Sequence, residues 1–366
     1  MPGHTKLSGS QTDADFVGWQ ESCSGKAFPL YTITVADHPS YQSTVTESTL
    51  RRLHLRVPTI RAPYPEIEPS PWQNQGVELK HPKTARDAIK MAGLDYTVVK
   101  RPLIDLKTGL KMAAYATVRT DTEDVLGFVS KRYRPIQNID AFTFFDALVA
   151  EGEAVYETAG ALGQGERIWI LAKLPGSIEV HGKDIVNKYL LLTNSHEGRA
   201  HVRVKITPIR AVCDNTLTSA LQGAGEVAIT HTLNAVRNLE QAFTILALSK
   251  SLYEQLDVMF NHMAAKKITQ KQLREYVQAL VPDNEESRNT ARTEKIRNSV
   301  LELHDSGRGA YLARGTVWGA FNSVTEYTDH MMLSSDPSMR LNSIWFGRGE
   351  QLKSKAFRLA ERLMQS

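Results

Sequence analysis

The sequence predicts an α+β protein in which an antiparallel β-meander, flanked by helices, precedes an α-helical C-terminal third. Apolar residues alternate with polar ones between residues 154 and 210, and they recur at helical spacing after residue 230. Residues 1–71 are rich in Ser, Thr and Pro and lack long apolar periodicity. We therefore predict an extended or partly disordered N-terminal extension over residues 1–71, an α+β core over 72–230 and a helical domain over 231–366.

Composition places the chain among ordinary globular proteins. Its 366 residues are 42% hydrophobic and 23% charged, values that exclude wholesale disorder and collagen-like repeats. The formal net charge of +4 is too small for a protein that coats DNA through bulk charge. A basic binding site would have to be local.

The cysteines and the hydropathy pattern indicate a soluble protein of a reducing compartment. Only Cys23 and Cys213 are present, about 190 positions apart, and no Cys-x-x-Cys or His/Cys cluster suggests structural zinc. No apolar stretch reaches the roughly 18 residues that a membrane span needs. The prediction is a cytoplasmic protein without membrane contact, metal or other cofactor.

The core is predicted to begin near His81, after a proline-rich linker that ends at Pro71. Thr84 is a suitable N-cap for a helix over residues 85–92, and Gly93 is a suitable end for it. Three strands are predicted next, at residues 96–100, 113–119 and 125–129, followed by a helix at 139–151 with Asn138 as its N-cap.

The meander and the helices after it complete the prediction. Glycine-rich turns separate strands at residues 154–161, 167–174, 187–193 and 201–207, and such short connections favour antiparallel pairing. Residues 213–216 are then predicted to open a short helix over 217–221. Further helices are predicted at 233–265, 271–280, 290–303, 315–333 and 350–364, the second with a capping box formed by Thr269 and Gln272.

The last strand of the meander is the first candidate site. Alternation sends Val202, Val204 and Ile206 to the core and places His201, Arg203 and Lys205 on the opposite face, with Arg210 shortly after. A sheet face with cations suits the phosphates of nucleic acid, which Lys and Arg bind by displacing counterions. The alternative is a half-exposed strand whose outer face is simply charged and solvated.

Two further segments add candidate contacts. Lys131, Arg132 and Arg134 could bind phosphates, with Tyr133 stacking on a base. Arg348 lies in a run at residues 340–349 that also contains two aromatic residues. This run could close over nucleic acid, pack on a neighbouring subunit, or form a loop between helices with its aromatic side chains in the core. The complete set of predicted nucleic-acid-binding residues is Lys131, Arg132, Tyr133, Arg134, His201, Arg203, Lys205, Arg210 and Arg348.

No catalytic residue is predicted. Gly163 and Gly165 are not followed by the Lys-Ser/Thr pair of a phosphate-binding loop, which favours a hairpin turn. A metal-dependent hydrolase would require convergent ligands, for which the candidates are His196, His304, Asp305, Asp329 and His330. None of them stands at a recognisable metal-ligand spacing.

Several segments occur in the order found in a known family. They include TPIRAVCDNTL at residues 207–217 and TEYTDH at 325–330, and the others lie at 88–96, 133–138, 156–160 and 192–196. Over residues 72–364 the chain resembles phage/plasmid-like proteins that carry the domain of unknown function 932. That resemblance implies the cytoplasm of a bacterial host. In its order of helix, meander and helix, the segment 139–221 is also similar to single-strand annealing recombinases, which form rings and bind single-stranded DNA in a basic groove.

Three functional hypotheses follow. The first is a non-enzymatic, homo-oligomeric protein that binds single-stranded DNA and anneals or protects strands during phage or plasmid replication and recombination. The second is a protein-interaction module that inhibits a host nuclease or defence complex, and a host recombination protein is a further possible partner. The third is a metal-dependent nuclease.

Overall fold

The computed structural model describes the strand backbones at residues 14–21, 27–35 and 38–46, and residues 72–365 apart from 73–74, 199–201, 218–225, 230–234, 284–289, 333 and 335. The chain divides into two compact units, Met1–Ile67 and Glu68–Ser366. The predicted α+β core and helical domain both belong to the second unit. The predicted linker up to Pro71 lies outside the described residues.

The first unit contains a three-stranded antiparallel sheet. Its strands are β1 (Ala14–Glu21), β2 (Ala27–Val35) and β3 (His38–Thr46), in the order β1-β2-β3. Leu30 of the central strand lies opposite Gly18 on one side and Thr46 on the other. Thr, Val and Tyr, which are common in this segment, favour extended backbone.

The second unit contains ten strands and ten α-helices among its described residues. The strands are β4 (Gly76–Glu78), β5 (Val98–Ile104), β6 (Lys111–Arg119), β7 (Val125–Ser130), β8 (Val155–Leu162), β9 (Arg167–Val180), β10 (Asp184–Ser195), β11 (Val202–Arg210), β12 (Asn215–Thr216) and β13 (Glu226–Ile229). The helices are α1 (Ala85–Met91), α2 (Asn138–Ala141), α3 (Asp146–Ala150), α4 (Ala235–Ala265), α5 (Gln270–Leu280), α6 (Thr290–Ser306), α7 (Ala310–Ala313), α8 (Val317–Glu326), α9 (Pro337–Phe346) and α10 (Arg348–Gln365). A 3₁₀ helix at Thr143–Phe145 precedes α3, and a π-helix at Tyr327–Met331 continues α8.

The predicted antiparallel meander is confirmed. A seven-stranded sheet has the order β12-β11-β10-β9-β8-β4, with β13 also paired to β11. Leu190 of β10 lies opposite Ala172 of β9 and Ile206 of β11, so these three side chains share one face. Strands β5, β6 and β7 form a separate three-stranded sheet in that order.

Helices cover both faces of the large sheet. One face carries the main core, in which Leu190 and Ile206 pack with side chains of α4, α5, α8 and α10. The other face carries a second cluster that includes Trp169 of β9 and Trp345 of α9. Burial of every residue from 168 to 172 reflects this arrangement, because a strand covered on both faces needs apolar side chains on both.

The predicted helix at 139–151 is interrupted, and Asn138 does not cap it. The Thr143 hydroxyl donates to the Asp140 carbonyl oxygen (3.1 Å), which competes with the regular helical hydrogen bond. Asn138 is 1% exposed, and its Nδ2 donates to the Leu94 carbonyl oxygen (2.9 Å). Gln137 takes the N-cap position instead. The predicted helix is divided into α2, the 3₁₀ helix and α3.

Two further predictions, for residues 213–221 and 340–349, differ from the structure. Asn215 and Thr216 form β12 against β11 rather than opening a helix, and residues 218–221 of that predicted helix lie outside the described residues. Most of the run at 340–349 belongs to α9 and α10 and is not a loop. Trp345 is 0% exposed, so it is a core residue and not part of a surface that closes over a ligand.

Candidate nucleic-acid interface

The cations predicted on β11 are mostly buried. As predicted, Val202, Val204 and Ile206 face the main core. The opposite face, however, is covered by α9 and α10. Lys205 is 7% exposed, and its Nζ donates to the Trp345 carbonyl oxygen (2.8 Å) and pairs with Glu350.

Arg210 is also unavailable to a ligand. It is 1% exposed, and its Nε and Nη2 donate to the carboxylate of Asp184 at 2.6 to 2.9 Å. The Trp318 indole donates to the same carboxylate (2.8 Å). The prediction that Lys205 and Arg210 contact phosphates is therefore wrong, because each already neutralises a carboxylate inside the protein.

The other two residues predicted on this face of β11 are Arg203 and His201. Arg203 is partly exposed and pairs with Glu226 on the neighbouring strand β13. His201 lies outside the described residues. Among the described residues of β11, the predicted cationic face is therefore reduced to one partly exposed arginine that already has an acidic partner.

The Lys131–Arg134 segment remains at the surface. Lys131, Arg132 and Arg134 are exposed in the turn after β7. Tyr133 is half-buried, its hydroxyl donates to the Ser195 carbonyl oxygen (3.2 Å), and burial raises its pKa. The exposed aromatic ring nearest in sequence is Phe128, which the sequence analysis did not identify.

Arg348 is also exposed, and it borders a large groove in the helical part of the second unit. This cationic groove has a volume of about 1220 Å³ and lies between the end of α5, α6, the π-helix, α9 and α10. Its described lining contains five cations and no carboxylate. The five cations are Arg292, Lys295, Arg340, Arg348 and Lys355.

Helical spacing explains how these side chains reach one groove. Arg292, Lys295 and Ser299 follow one face of α6, and Arg348, Gln351 and Lys355 follow one face of α10. This spacing was the available signal in the sequence for Arg292 and Lys295. What the sequence could not show was that the two faces are opposed across the same groove.

Tyr327 provides an aromatic group in the groove. It is half-buried in the π-helix, and burial raises the pKa of its hydroxyl. The positive charges of Arg292 and Arg348, which line the same groove, act on this pKa in the opposite direction. Met331 and Met339, 44% and 63% exposed, add polarisable apolar surface nearby.

Arg340 and Lys355 are held in place by backbone carbonyls. Arg340 donates to the Asp329 carbonyl oxygen (2.8 Å), while its buried Nε has no hydrogen-bond partner among the described residues. Lys355 donates to the Leu280 carbonyl oxygen (2.8 Å), and burial followed by the charge of Arg358 lowers its pKa. Both cations are thus fixed at the groove without an acidic partner among these contacts.

Three carboxylates near the groove are already paired with cations. Asp283 and Glu294 both pair with Arg297, at 2.8 Å each. Glu350 pairs with Lys205. The positive charge of the groove is therefore not cancelled by these neighbouring acids, and the arrangement suits a polyanion that carries flat or apolar groups.

The histidines and acids of the hydrolase hypothesis are dispersed. His196 is buried against the Asn138 side chain (2.7 Å), and burial lowers its pKa to about 4. His304 accepts from the Gly315 N–H (3.2 Å), and His330 Nε2 donates to the Cys213 carbonyl oxygen (2.8 Å). Within the described part of the chain, no group of three or more His, Cys, Asp or Glu side chains is arranged to hold a metal ion.

Comparison with known proteins gives one result. The model of a family described as Domain of unknown function (DUF932) matches residues 125–348, more than half of the chain. The chain belongs to the DUF932 family. No curated protein and no solved structure matches it.

The DUF932 segment runs from β7 to the first residue of α10. It therefore includes four of the five groove cations, all except Lys355. Two segments that carried the resemblance, residues 207–217 and 325–330, meet in the interior, where Thr216 donates from both its N–H (2.7 Å) and its hydroxyl (2.8 Å) to Asp329 Oδ2. Asp329 lies in the π-helix, next to residues that line the groove.

Within the described residues of this DUF932 protein, no helix combines the length and apolar character needed to cross a membrane.

Proposed function

We propose that this protein binds single-stranded DNA, without catalysing a reaction, in the cationic groove between α6, the π-helix, α9 and α10. The observation that supports this most directly is the described lining, which has five cations, one tyrosine and no carboxylate. Cations that follow a backbone, combined with an aromatic ring on which bases stack, are typical of proteins that bind single strands.

The size of the groove favours a polymer over a small ligand. Its volume of about 1220 Å³ exceeds the roughly 300–1,000 Å³ of ordinary small-molecule pockets. A single strand can turn its bases toward Tyr327 while its phosphates contact Arg292 and Arg348. The bases of a duplex are already stacked on one another, so it offers no comparable contact to the ring.

The test is an equilibrium titration of a fluorescent oligo(dT) over a range of salt concentrations. Three groove cations, Arg292, Lys295 and Arg348, are exposed. Neutralising about three phosphates predicts that log K falls with log salt at a slope near −2. The double change Arg292→Glu and Arg348→Glu should weaken binding and flatten this slope.

A matched control is available on α5. Arg274 is exposed and does not line the groove, so Arg274→Glu alters the charge of the protein without altering the groove. This variant should bind as the wild type does. Absence of binding at low salt, or equal effects of the groove and control changes, would overturn the proposal. Binding of an acidic peptide but not of oligo(dT) would favour the protein-interaction hypothesis.

Strand annealing is a further part of this proposal. It rests on the order of elements that the sequence predicts over residues 139–221, as does the proposed homo-oligomer. Of that order, the antiparallel meander is present, the first helix is divided, and the last helix is not among the described elements. The phage or plasmid setting rests on the family resemblance. Energy transfer between complementary labelled strands would measure the rate of annealing. Analytical ultracentrifugation of the purified protein would measure the number of copies in the oligomer. A protein that binds oligo(dT) as a monomer and does not accelerate pairing would restrict the function to binding.

A further inference from the structure

The three-stranded sheet β5-β6-β7 carries an exposed aromatic residue on its outer face. In the strand register, Arg101 of β5 lies opposite Ala116 of β6, and Ala116 lies opposite Phe128 of β7. Phe128 is 68% exposed, whereas Ala116 is 4% exposed. The phenylalanine ring is therefore exposed to solvent beside a short side chain that is itself buried.

On the side of Phe128 that leads to Lys131, the neighbours on this face are small. The next cross-strand pair on the same face is Ala114 with Ser130. Neither side chain is long enough to cover an aromatic ring. Together with the 68% exposure of Phe128, this leaves the ring accessible to an incoming flat group.

The opposite face of the sheet is fixed to the body of the unit. The Thr117 hydroxyl donates to the His196 carbonyl oxygen (2.8 Å). Gly127 packs so closely on the loop after β10 that an added Cβ would lie 2.7 Å from the Glu197 Cα. These contacts attach the sheet to the rest of the second unit. Phe128 is therefore exposed on the face of the sheet that points away from those contacts.

Positive charge follows the aromatic residue directly. After β7 ends at Ser130, Lys131, Arg132 and Arg134 are all exposed. The Arg101 side chain on the same face pairs with Glu123, so the available charge lies at the Lys131–Arg134 end of the sheet. A stacking ring beside cations complements a single strand, which presents bases and phosphates alternately.

We propose that Phe128 stacks on a base of single-stranded DNA while Lys131, Arg132 and Arg134 contact its phosphates, as a second contact surface in addition to the groove. This inference rests on the proposed function, because it assigns a further part of the path of the same ligand. It also replaces Tyr133, whose hydroxyl is directed to Ser195, by Phe128 as the stacking residue.

The experiment compares Phe128→Ala with wild type in binding oligo(dT) and a backbone-matched oligonucleotide that lacks bases. Loss of one base–aromatic stack lowers affinity by about 5- to 150-fold, so oligo(dT) should bind the variant that much more weakly. Binding of the base-free strand should not change. Phe128→Trp should preserve affinity for oligo(dT), and its added fluorescence should be quenched by that strand.

The matched control is Phe243→Ala on α4, which removes a phenylalanine that is 45% exposed on another surface. It should bind both strands as wild type does. Equal binding of oligo(dT) by wild type and Phe128→Ala, with the groove variant still impaired, would overturn this inference alone. Failure of the wild type to bind any strand would overturn the proposed function as well.

A protein partner is the competing use of this sheet. Leu106 and Leu110 at the tip of the β5–β6 hairpin are 100% and 68% exposed, and exposed apolar patches often mark protein interfaces. If Phe128→Ala changed the sedimentation of the protein and left oligo(dT) binding intact, the surface would be an interface between copies and the stacking proposal would be wrong.

Discussion

Asp329 and Lys353 form an ion pair from which solvent is excluded. The distance from Lys353 Nζ to Asp329 Oδ1 is 2.8 Å, and both side chains are 0% exposed. The other carboxylate oxygen of Asp329 accepts two hydrogen bonds from Thr216. The pair therefore joins β12, the π-helix and α10, and it connects one wall of the groove to the large sheet.

Removal of Lys353 should destabilise the fold strongly. In Lys353→Met the carboxylate of Asp329 stays buried without its cation, which typically costs about 3–5 kcal/mol. Urea unfolding measures the loss. Lys250→Met, which removes a half-exposed partner of Glu153, should change the free energy of unfolding by less than about 1 kcal/mol. Adding Asp329→Asn to Lys353→Met should recover part of the loss, and similar stabilities of all these variants would contradict the structure.

Glu326 should make stability depend on pH. Its carboxylate accepts from the Arg308 N–H (2.8 Å), and burial raises its pKa from 4.5 to about 7. Between those values the folded protein holds a proton that the unfolded chain has lost. Stability therefore falls as pH rises through this window, by at most about 1.4 kcal/mol per pH unit, and is constant above it.

A Glu326→Gln variant isolates this effect. Burial lowers the pKa of His196 and of His330 from 6.5 to about 4, so these two groups make stability rise with pH between those values and oppose Glu326. Urea unfolding at pH 5 and pH 8 should show the variant gaining about 1 to 3 kcal/mol relative to wild type as pH rises. Glu254→Gln, at an exposed position, should show no such gain.

Trp345 should contribute to stability and not to DNA binding. Its ring packs edge-to-face on Trp169 with centroids 5.0 Å apart, and both rings are 0% exposed. Trp345→Ala should lower the free energy of unfolding by about 3–5 kcal/mol through the cavity that it leaves, and Trp345→Phe by less. The affinity of the folded fraction for oligo(dT) should be unchanged. A selective loss of binding in a stable Trp345→Ala protein would restore the ligand-closing hypothesis.

Charge reversal on β11 should separate two residues that look equivalent in the sequence. Lys205→Glu places a carboxylate in a buried site beside Glu350, and it should cost more than about 3 kcal/mol in urea unfolding. Arg203→Glu exchanges a partly exposed pair with Glu226 for two like charges that solvent screens, and it should cost about 1 kcal/mol. Equal effects of the two substitutions would show that Lys205 is not enclosed by α9 and α10.

Local signals predicted several elements correctly. Thr84 accepts a hydrogen bond from the Asp87 N–H and begins α1 as predicted, and Thr269 with Gln272 forms the predicted capping box of α5. The alternation of β11 correctly assigned Val202 and Val204 to the core. These features depend on residues a few positions apart, so the sequence contains the information that decides them.

Site residues depend on contacts between distant parts of the chain. Lys205 and Glu350 are far apart in sequence, and nothing near Lys205 indicates that α10 covers it. Similarly, Arg292 and Arg348 line one groove with Tyr327 only because α6 and α10 both pack against the π-helix. Neither relationship has a local periodicity from which it could be predicted.

By itself the sequence determined the α+β class, the antiparallel meander and the positions of several helices, because hydrogen bonding and amphipathic spacing act over short distances along the chain. It also carried the segments that place the protein in the DUF932 family. Only the tertiary structure decided which cations are buried in ion pairs and which line a groove. The reason is that burial and pairing of a charge depend on the elements packed against it, and for Lys205 these are α9 and α10 near the C-terminal end of the second unit.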